Sequence, residues 1–168
     1  KATPSQLELF VRLADAPRPL DTVVVGGEAF RRPVAERLAA TCRPGVRIFN
    51  EYGPTEAVVG CMIHEWSPDD DIDVDVPIGR ACDGAEVRIL DPAGHPSPPG
   101  AWGELYVRRP GMATGYLNRP ELTAELFVHL PADELPGPRD DRPWYRTGDR
   151  ARVERPGVAV YGGRMDDQ

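Results

Sequence analysis

The hydrophobic period of this chain changes once, near residue 69, and that change limits the fold to a layered α/β part followed by a β part. In the first part, "PSQLELFVRLAD" spaces Leu7, Phe10, Val11 and Leu13 or Ala14 at helical intervals. "DTVVVGG" reads as a short buried strand ending at a double glycine. "RRPVAERLAATC" carries Pro33 early in a second helix, where its missing N–H costs nothing. "VRIFNEY" is a second strand. Strand, helix and strand of this length predict a right-handed crossover in a mainly parallel sheet. Ligands of such sheets gather at the carboxyl ends of the strands, where "GGE" and "NEYGPTE" both lie.

Beyond residue 69, "DDDIDVDVPIG" alternates acid and aliphatic, and "AEVRILD", "GELYVRR", "YRTGDRARVE" and "GVAVYGGR" follow as short strands between glycine- and proline-rich turns. That spacing predicts an antiparallel sheet or barrel. One helix interrupts it at "NRPELTAELF", with Asn118 as its expected N-cap and Glu121 as the partner in a capping box. "HLPADELPGPRDDRP" is a long proline-rich loop, functional or mobile. The chain thus divides into segments 1–68 and 69–168.

Composition narrows the function. A formal charge of −7 over 168 residues argues against a nucleic-acid surface and against anionic membrane. No apolar run approaches the roughly 20 residues that span a bilayer. Cys42, Cys61 and Cys82 are odd in number and widely spaced, so they fit neither a zinc site nor a disulfide framework and indicate a reducing, cytoplasmic setting. The chain begins at Lys1 without Met and stops at a charged "GRMDDQ", which reads as a piece cut from a longer protein.

Three blocks stand in fixed order: "FNEYGPTE", "GELYVRRPGMATGYLNRPELTAELF" and "YRTGDRARVERPGVAVYGGRMDDQ". Together they resemble the adenylation domains of nonribosomal peptide synthetases, within the adenylate-forming enzymes, over essentially the whole chain. The resemblance implies the second half of the large core subdomain: part of one mainly parallel α/β sheet layer followed by a small distorted antiparallel β-barrel. It also implies ATP and Mg²⁺ as cofactors. Tyr52 would stack on adenine, Gly53 would fix the turn, Thr55 would bond phosphate and Glu56 would hold Mg²⁺. Asp149 matches the ribose-binding carboxylate, Tyr161 and Arg164 match positions near ribose and phosphate, and Asp166 matches the hinge.

By the same resemblance Lys1, Val24, Gly26, Glu51, Val59 and Gly60 face the side chain of the amino-acid substrate. The set is similar to that of domains loading asparagine; the competing aspartate pattern usually has His where Glu51 stands. The chemistry agrees, since an ammonium and a carboxylate match the C=O and NH₂ of a carboxamide, whereas a substrate carboxylate would meet Glu51 as a like charge. The implied reaction is attack of the amino acid's carboxylate on the α-phosphate of ATP, then transfer of the acyl group to a carrier domain's phosphopantetheine. Implied partners are the missing N-terminal half and C-terminal subdomain, carrier and condensation domains, and an MbtH-like activator.

The family's glycine-rich phosphate loop, its Asp for the substrate's α-amino group and its catalytic Lys have no counterpart here, and "PIGRACDG" has Ala81 where many relatives carry Pro. The chain alone is therefore expected to hold no catalytic residue, to be inactive and to expose strand edges and apolar surface. Two alternatives stay open: an acyl- or aryl-CoA ligase core, and a non-catalytic split or degenerate module.

Overall fold

The structure, a computed structural model, describes residues 1–13, 18–70, 75–130 and 141–165. Helix α1 (Pro4–Arg12) begins at a capping box that the sequence spells as Thr-x-x-Gln: Thr3 Oγ1 accepts from the Gln6 N–H and Gln6 Oε1 accepts from the Thr3 N–H. Helix α2 (Arg32–Thr41) starts with Pro33 in its first turn and buries Val34, Ala35 and Leu38 on one face. Both helices cover strands β1 (Thr22–Gly26) and β2 (Arg47–Tyr52), whose Val23, Val25 and Ile48 complete the first core.

Strands β1 and β2 are parallel, with Val24 opposite Phe49 and Gly26 opposite Glu51. The chain then turns back instead of crossing over, so β3 (Met62–Trp66) lies antiparallel to β2 and β4 (Arg80–Ala81) antiparallel to β3, in the order β1-β2-β3-β4. The expected mainly parallel layer is therefore a mixed one among the described residues. A connection as short as 53–61 can only bring its strand back antiparallel. Strand β3 was hidden in the sequence because Met62 and Trp66 flank His64 and Glu65 without a clean apolar run.

The second sheet is antiparallel throughout: β5 (Glu86–Leu90), β6 (Gly103–Arg108), β8 (Trp144–Arg155) and β7 (Phe127–Val128) follow in that order, and β9 (Val158–Arg164) also pairs with β8. Register shifts between Glu104 and Tyr106, Asp149 and Ala151, and Val153 and Arg155 bend the long strand. The sheet curls, but among the described residues no ladder joins β5 to β7 or β9, so a half-barrel stands where a barrel was expected. A second core of Ala57, Cys61, Met62, Ile78, Leu105, Val107, Ala151 and Ala159 welds the two sheets together.

Two further expectations change. Helix α3 (Pro120–Leu126) is flanked by Arg119, with no side-chain cap and no box through Glu121. Asn118 sits one residue earlier at φ 56°, a left-handed turn that Asn tolerates better than most residues. Of the alternating run 69–79, residues 71–74 lie outside the described set; the rest forms isolated bridges, Asp75 with Arg31 and Gly79 with Ala159, and buries Val76 and Ile78. Most of the proline-rich loop, 131–140, also lies outside it. No described helix is long and apolar enough to cross a membrane. The three cysteines are free thiols.

Candidate functional site

A cleft of about 230 Å³ opens where β1 and β2 end, between the two sheets. Gly27 to Phe30 follow β1 on one wall, Glu51, Tyr52 and Gly53 end β2 on another, and Asp149 and Tyr161 reach in from β8 and β9. Beneath it, buried Asn50 donates from Nδ2 to the carbonyls of Val76 and Pro77, both at 2.9 Å, and pins that segment under the cleft.

One end of the site is a cross-sheet network. The Tyr52 hydroxyl donates to Asp149 Oδ2, and the Tyr52 and Tyr161 rings lie 6.3 Å apart at 36°. Arg164 Nη1 lies 3.3 Å from Asp149 Oδ1 and donates to the Thr147 carbonyl at 2.6 Å. The Asp149 N–H donates to Thr147 Oγ1, whose own proton goes to the Leu105 carbonyl. Burial, and after it the Asp149 charge, holds the Tyr52 phenol well above its ordinary range, so it stays a donor.

The turn after β2 is tight. A Cβ on Gly53 would lie 1.1 Å from the Val59 carbonyl oxygen, so only glycine fits. Thr55, exposed, opens a single 3₁₀ turn, Thr55–Ala57, and Ala57 anchors its underside in the second core. Val58 and Val59 then adopt φ 59° and 63°, a left-handed conformation that costs an L-residue roughly 1–2 kcal/mol. Glu56 is held twice from the 109–117 strap: its carbonyl accepts from the Ala113 N–H at 2.8 Å, and its Oε1 accepts from the Tyr116 hydroxyl. The Tyr145 hydroxyl lies 3.2 Å from that of Tyr116. Burial raises the pKa of both phenols, and the nearby Glu56 carboxylate adds to it, so both remain protonated at neutral pH.

Among the described residues no three His, Cys, Asp or Glu side chains come together. Glu56 is a single carboxylate, so a cation held by it would need water and ligand oxygens for the rest of its shell, as Mg²⁺ accepts.

At the other end, Lys1 runs beside β1: the Ala2 N–H donates to the Val24 carbonyl at 3.0 Å and the Gly26 N–H to the Ala2 carbonyl at 3.2 Å. Lys1 Nζ pairs with Glu51 Oε2, the Lys1 side chain 49% exposed and that of Glu51 19%. Glu51 is tightly enclosed, since a Cβ on Gly60 would lie 1.9 Å from its Oε1 and one on Gly26 2.6 Å from its carbonyl oxygen.

Of the residues singled out from sequence, Glu51, Tyr52, Gly53, Asp149 and Tyr161 line the cleft. Lys1, Gly26, Gly60 and Arg164 touch those lining residues. Val24, Thr55, Glu56 and Val59 are not among its lining residues, and Asp166 lies outside the described residues. Sequence reasoning missed Asn50, Tyr116 and Tyr145. Only Asn50 left a signal, an amide in the middle of the otherwise apolar "RIFN".

The family profile described as AMP-binding enzyme matches residues 1–117. Bacitracin synthase 3 of Bacillus licheniformis is 42% identical over 168 residues, 100% of this chain and 2% of its own. PA1221, described as a nonribosomal peptide synthetase protein containing adenylation and PCP domains, aligns with a TM-score of 0.85 at 34% identity, covering 99% of this chain and 33% of its own. The α-methyl-L-serine-AMP bound form of FmoA3, a nonribosomal peptide synthetase, gives a TM-score of 0.85 at 32% identity, covering 100% of this chain and 19% of its own. The chain thus spans a minor share of each relative. It belongs to the AMP-binding enzyme family, as part of an adenylation domain of the nonribosomal peptide synthetase kind.

Proposed function

We propose that this chain supplies the second half of the large subdomain of an adenylation domain that converts asparagine and ATP to asparaginyl-AMP, for transfer to a carrier domain's phosphopantetheine. The observation that carries the reading is the adjacency of Glu51 and Tyr52. Consecutive residues at one strand end both line the cleft; one is paired with Lys1, the other bonded to Asp149. A side-chain reader and an adenosine holder built side by side suit a ligand that joins an amino acid to a nucleotide.

Tyr52 offers an aromatic face to adenine, and Asp149 accepts from the ribose hydroxyls with lone pairs beyond those used by Tyr52 and Arg164. Thr55 and Arg164 donate to phosphate oxygens. Glu56, oriented by Tyr116, would hold Mg²⁺, which neutralises phosphate charge when bound. Lys1 donates to the carboxamide oxygen of the substrate and Glu51 accepts from its NH₂; Gly26 and Gly60, lacking side chains, make room for Glu51, and Val24 and Val59 would face the substrate's side chain. The protein's contribution is positioning and charge stabilisation, with no covalent intermediate on this chain. The phosphate loop, the anchor for the α-amino group and the catalytic Lys would come from the rest of the domain, so the 168-residue piece alone is inactive in this reading. Carrier and condensation domains, an MbtH-like activator and a hinge at Asp166 complete it.

The test is amino-acid-dependent pyrophosphate exchange by the complete domain with asparagine, aspartate, glutamine and an aryl acid. Exchange with asparagine above the others is the expected result. Exchange with aspartate would overturn the Lys1–Glu51 assignment, exchange with an aryl acid would move the protein to the ligase branch, and silence with all four would favour a non-catalytic module.

A further inference from the structure

Arg109, the first residue after β6, is used by nothing described so far. Its neighbour Arg108 is committed to Glu86, at 3.1 and 2.8 Å, and to the Trp144 ring. Arg109 instead reaches the connection between β2 and β3, where its Nη1 donates to the Gly60 carbonyl at 2.6 Å. Its Nε is buried and makes no hydrogen bond among the described residues. Holding a guanidinium half-buried with its Nε unsatisfied is unfavourable unless the position it fixes matters. We infer that Arg109 sets the side-chain selectivity of the pocket from behind its wall, by clamping the Gly60 carbonyl and with it the strained Val58–Gly60 strap against Glu51. The inference rests on the reading of Glu51 and Gly60 as substrate-facing.

Three observations bear on it. Val58 and Val59 are β-branched residues in the left-handed region, so the strap relaxes unless its ends are held. Its other hydrogen bonds among the described residues are local: the Val58 N–H to the Thr55 carbonyl at 3.0 Å, the Val59 N–H to the Pro54 carbonyl at 3.1 Å and the adjoining Cys61 N–H to the Tyr52 carbonyl at 2.9 Å. Among the described residues, Arg109 gives Gly60 its hydrogen bond from the segment that follows β6. Gly60 has almost no clearance over Glu51, so a small outward shift of its backbone widens the space around the Glu51 carboxylate. The Cys61 thiol reports the same placement: burial pushes it up to about 12, Cys82 adds to this, and Arg109 and Glu51 act on it with opposite signs. Gly60 thus carries the guanidinium at its carbonyl and the Glu51 carboxylate against its Cα.

In this role Arg109 is a positioning residue; it touches neither nucleotide nor amino acid. Arg109→Met keeps the stem and removes the donor, and Arg109→Lys restores one donor. In the complete domain, Arg109→Met should raise the KM for the preferred amino acid about tenfold and cut its preference over the next-best amino acid by a similar factor, leaving the KM for ATP within about twofold. Arg109→Lys should recover most of the preference. A uniform fall in kcat for every amino acid, with preference unchanged, would show a merely structural side chain and overturn the inference. Amide hydrogen exchange gives a second readout that needs no turnover. Exchange at Val59 and Cys61 should quicken about tenfold in Arg109→Met while the amides of Val158–Arg164 stay as they are; unchanged exchange at Val59 and Cys61 overturns the clamp. If the wild-type domain exchanges pyrophosphate with no amino acid, the proposed function fails, and hydrogen exchange still decides the role of Arg109.

Discussion

The two ends of the cleft are built in opposite ways. The end assigned to the nucleotide joins the two sheets: Tyr52 and Asp149, 97 positions apart, share a partly buried hydrogen bond, and Thr147 and Arg164 extend the network within the second sheet. The end assigned to the amino acid depends on one half-exposed ion pair, Lys1 with Glu51, on two glycines packed directly against Glu51 and on the Arg109 bond to Gly60. Half-exposed pairs contribute about 0–1 kcal/mol to stability. In the proposed reading the nucleotide end is therefore tied to the fold, whereas the Lys1–Glu51 pair can be changed with little structural consequence.

The sharpest way to break that contrast is Asp149→Ala. It removes the acceptor for Tyr52 and Arg164 together, and charged hydrogen bonds are worth about 1.5–3 kcal/mol each. Pyrophosphate exchange by the complete domain should lose about a thousandfold in kcat/KM, and the melting temperature should fall with it. An inactive variant that melts like wild type would separate the network from the fold and contradict the contrast. Gly60→Ala comes next. Its methyl would sit 1.9 Å from Glu51 Oε1, so the carboxylate must move. The KM for the amino acid should rise about a hundredfold while that for ATP holds. Lys1→Ala should act on preference alone: competition assays should show the advantage of asparagine over alanine reduced about tenfold, with the melting temperature unmoved.

The smallest effect lies away from both ends. Asp70 joins the sheets through His64 on β3, at 2.9 Å, and Arg155 on β8, at 3.4 Å. Burial raises its pKa, but the Ser67 N–H, His64 and Arg155 together outweigh that and hold it below its ordinary 3.8. A carboxyl lowered in the folded state stabilises the fold above its ordinary value, and that contribution is lost as pH falls below it. In urea titrations Asp70→Asn should be less stable than wild type by about 1 kcal/mol at pH 7, and the two should converge toward pH 3. An equal gap at both pH values would assign the effect to packing.

Much of the fold was legible because its elements are local. The first helix, the Pro33 start of the second and the strands β1, β2, β5, β6, β8 and β9 all follow from hydrophobic spacing and turn residues. The direction of β3 was not legible, because it depends on the chain reversing at Gly53, whose need is set by the carbonyl of Val59. The two-residue strands β4 and β7 carry no period at all. Asn118 looked like a cap because Asn favours caps, but the same tolerance of unusual backbone placed it in a left-handed turn. The site divides likewise. "NEYGPTE" announced itself as a motif, whereas the Glu56–Tyr116–Tyr145 contacts and the Arg109 clamp join residues too distant in sequence for any spacing rule.

The central claim is that one cleft holds the nucleotide through Asp149 and reads the amino acid through Glu51, as separable functions. Calorimetric binding of a non-reactive asparaginyl-sulfamoyl-adenosine to the complete domain tests it most directly, in wild type, Asp149→Ala, Glu51→Gln and the double variant. The account predicts that Asp149→Ala weakens this ligand and its aspartyl counterpart alike, that Glu51→Gln weakens only the asparaginyl one, and that the two losses add within about 0.5 kcal/mol. Equal loss of both ligands in Glu51→Gln, or tighter binding of the aspartyl analogue by wild type, would contradict it.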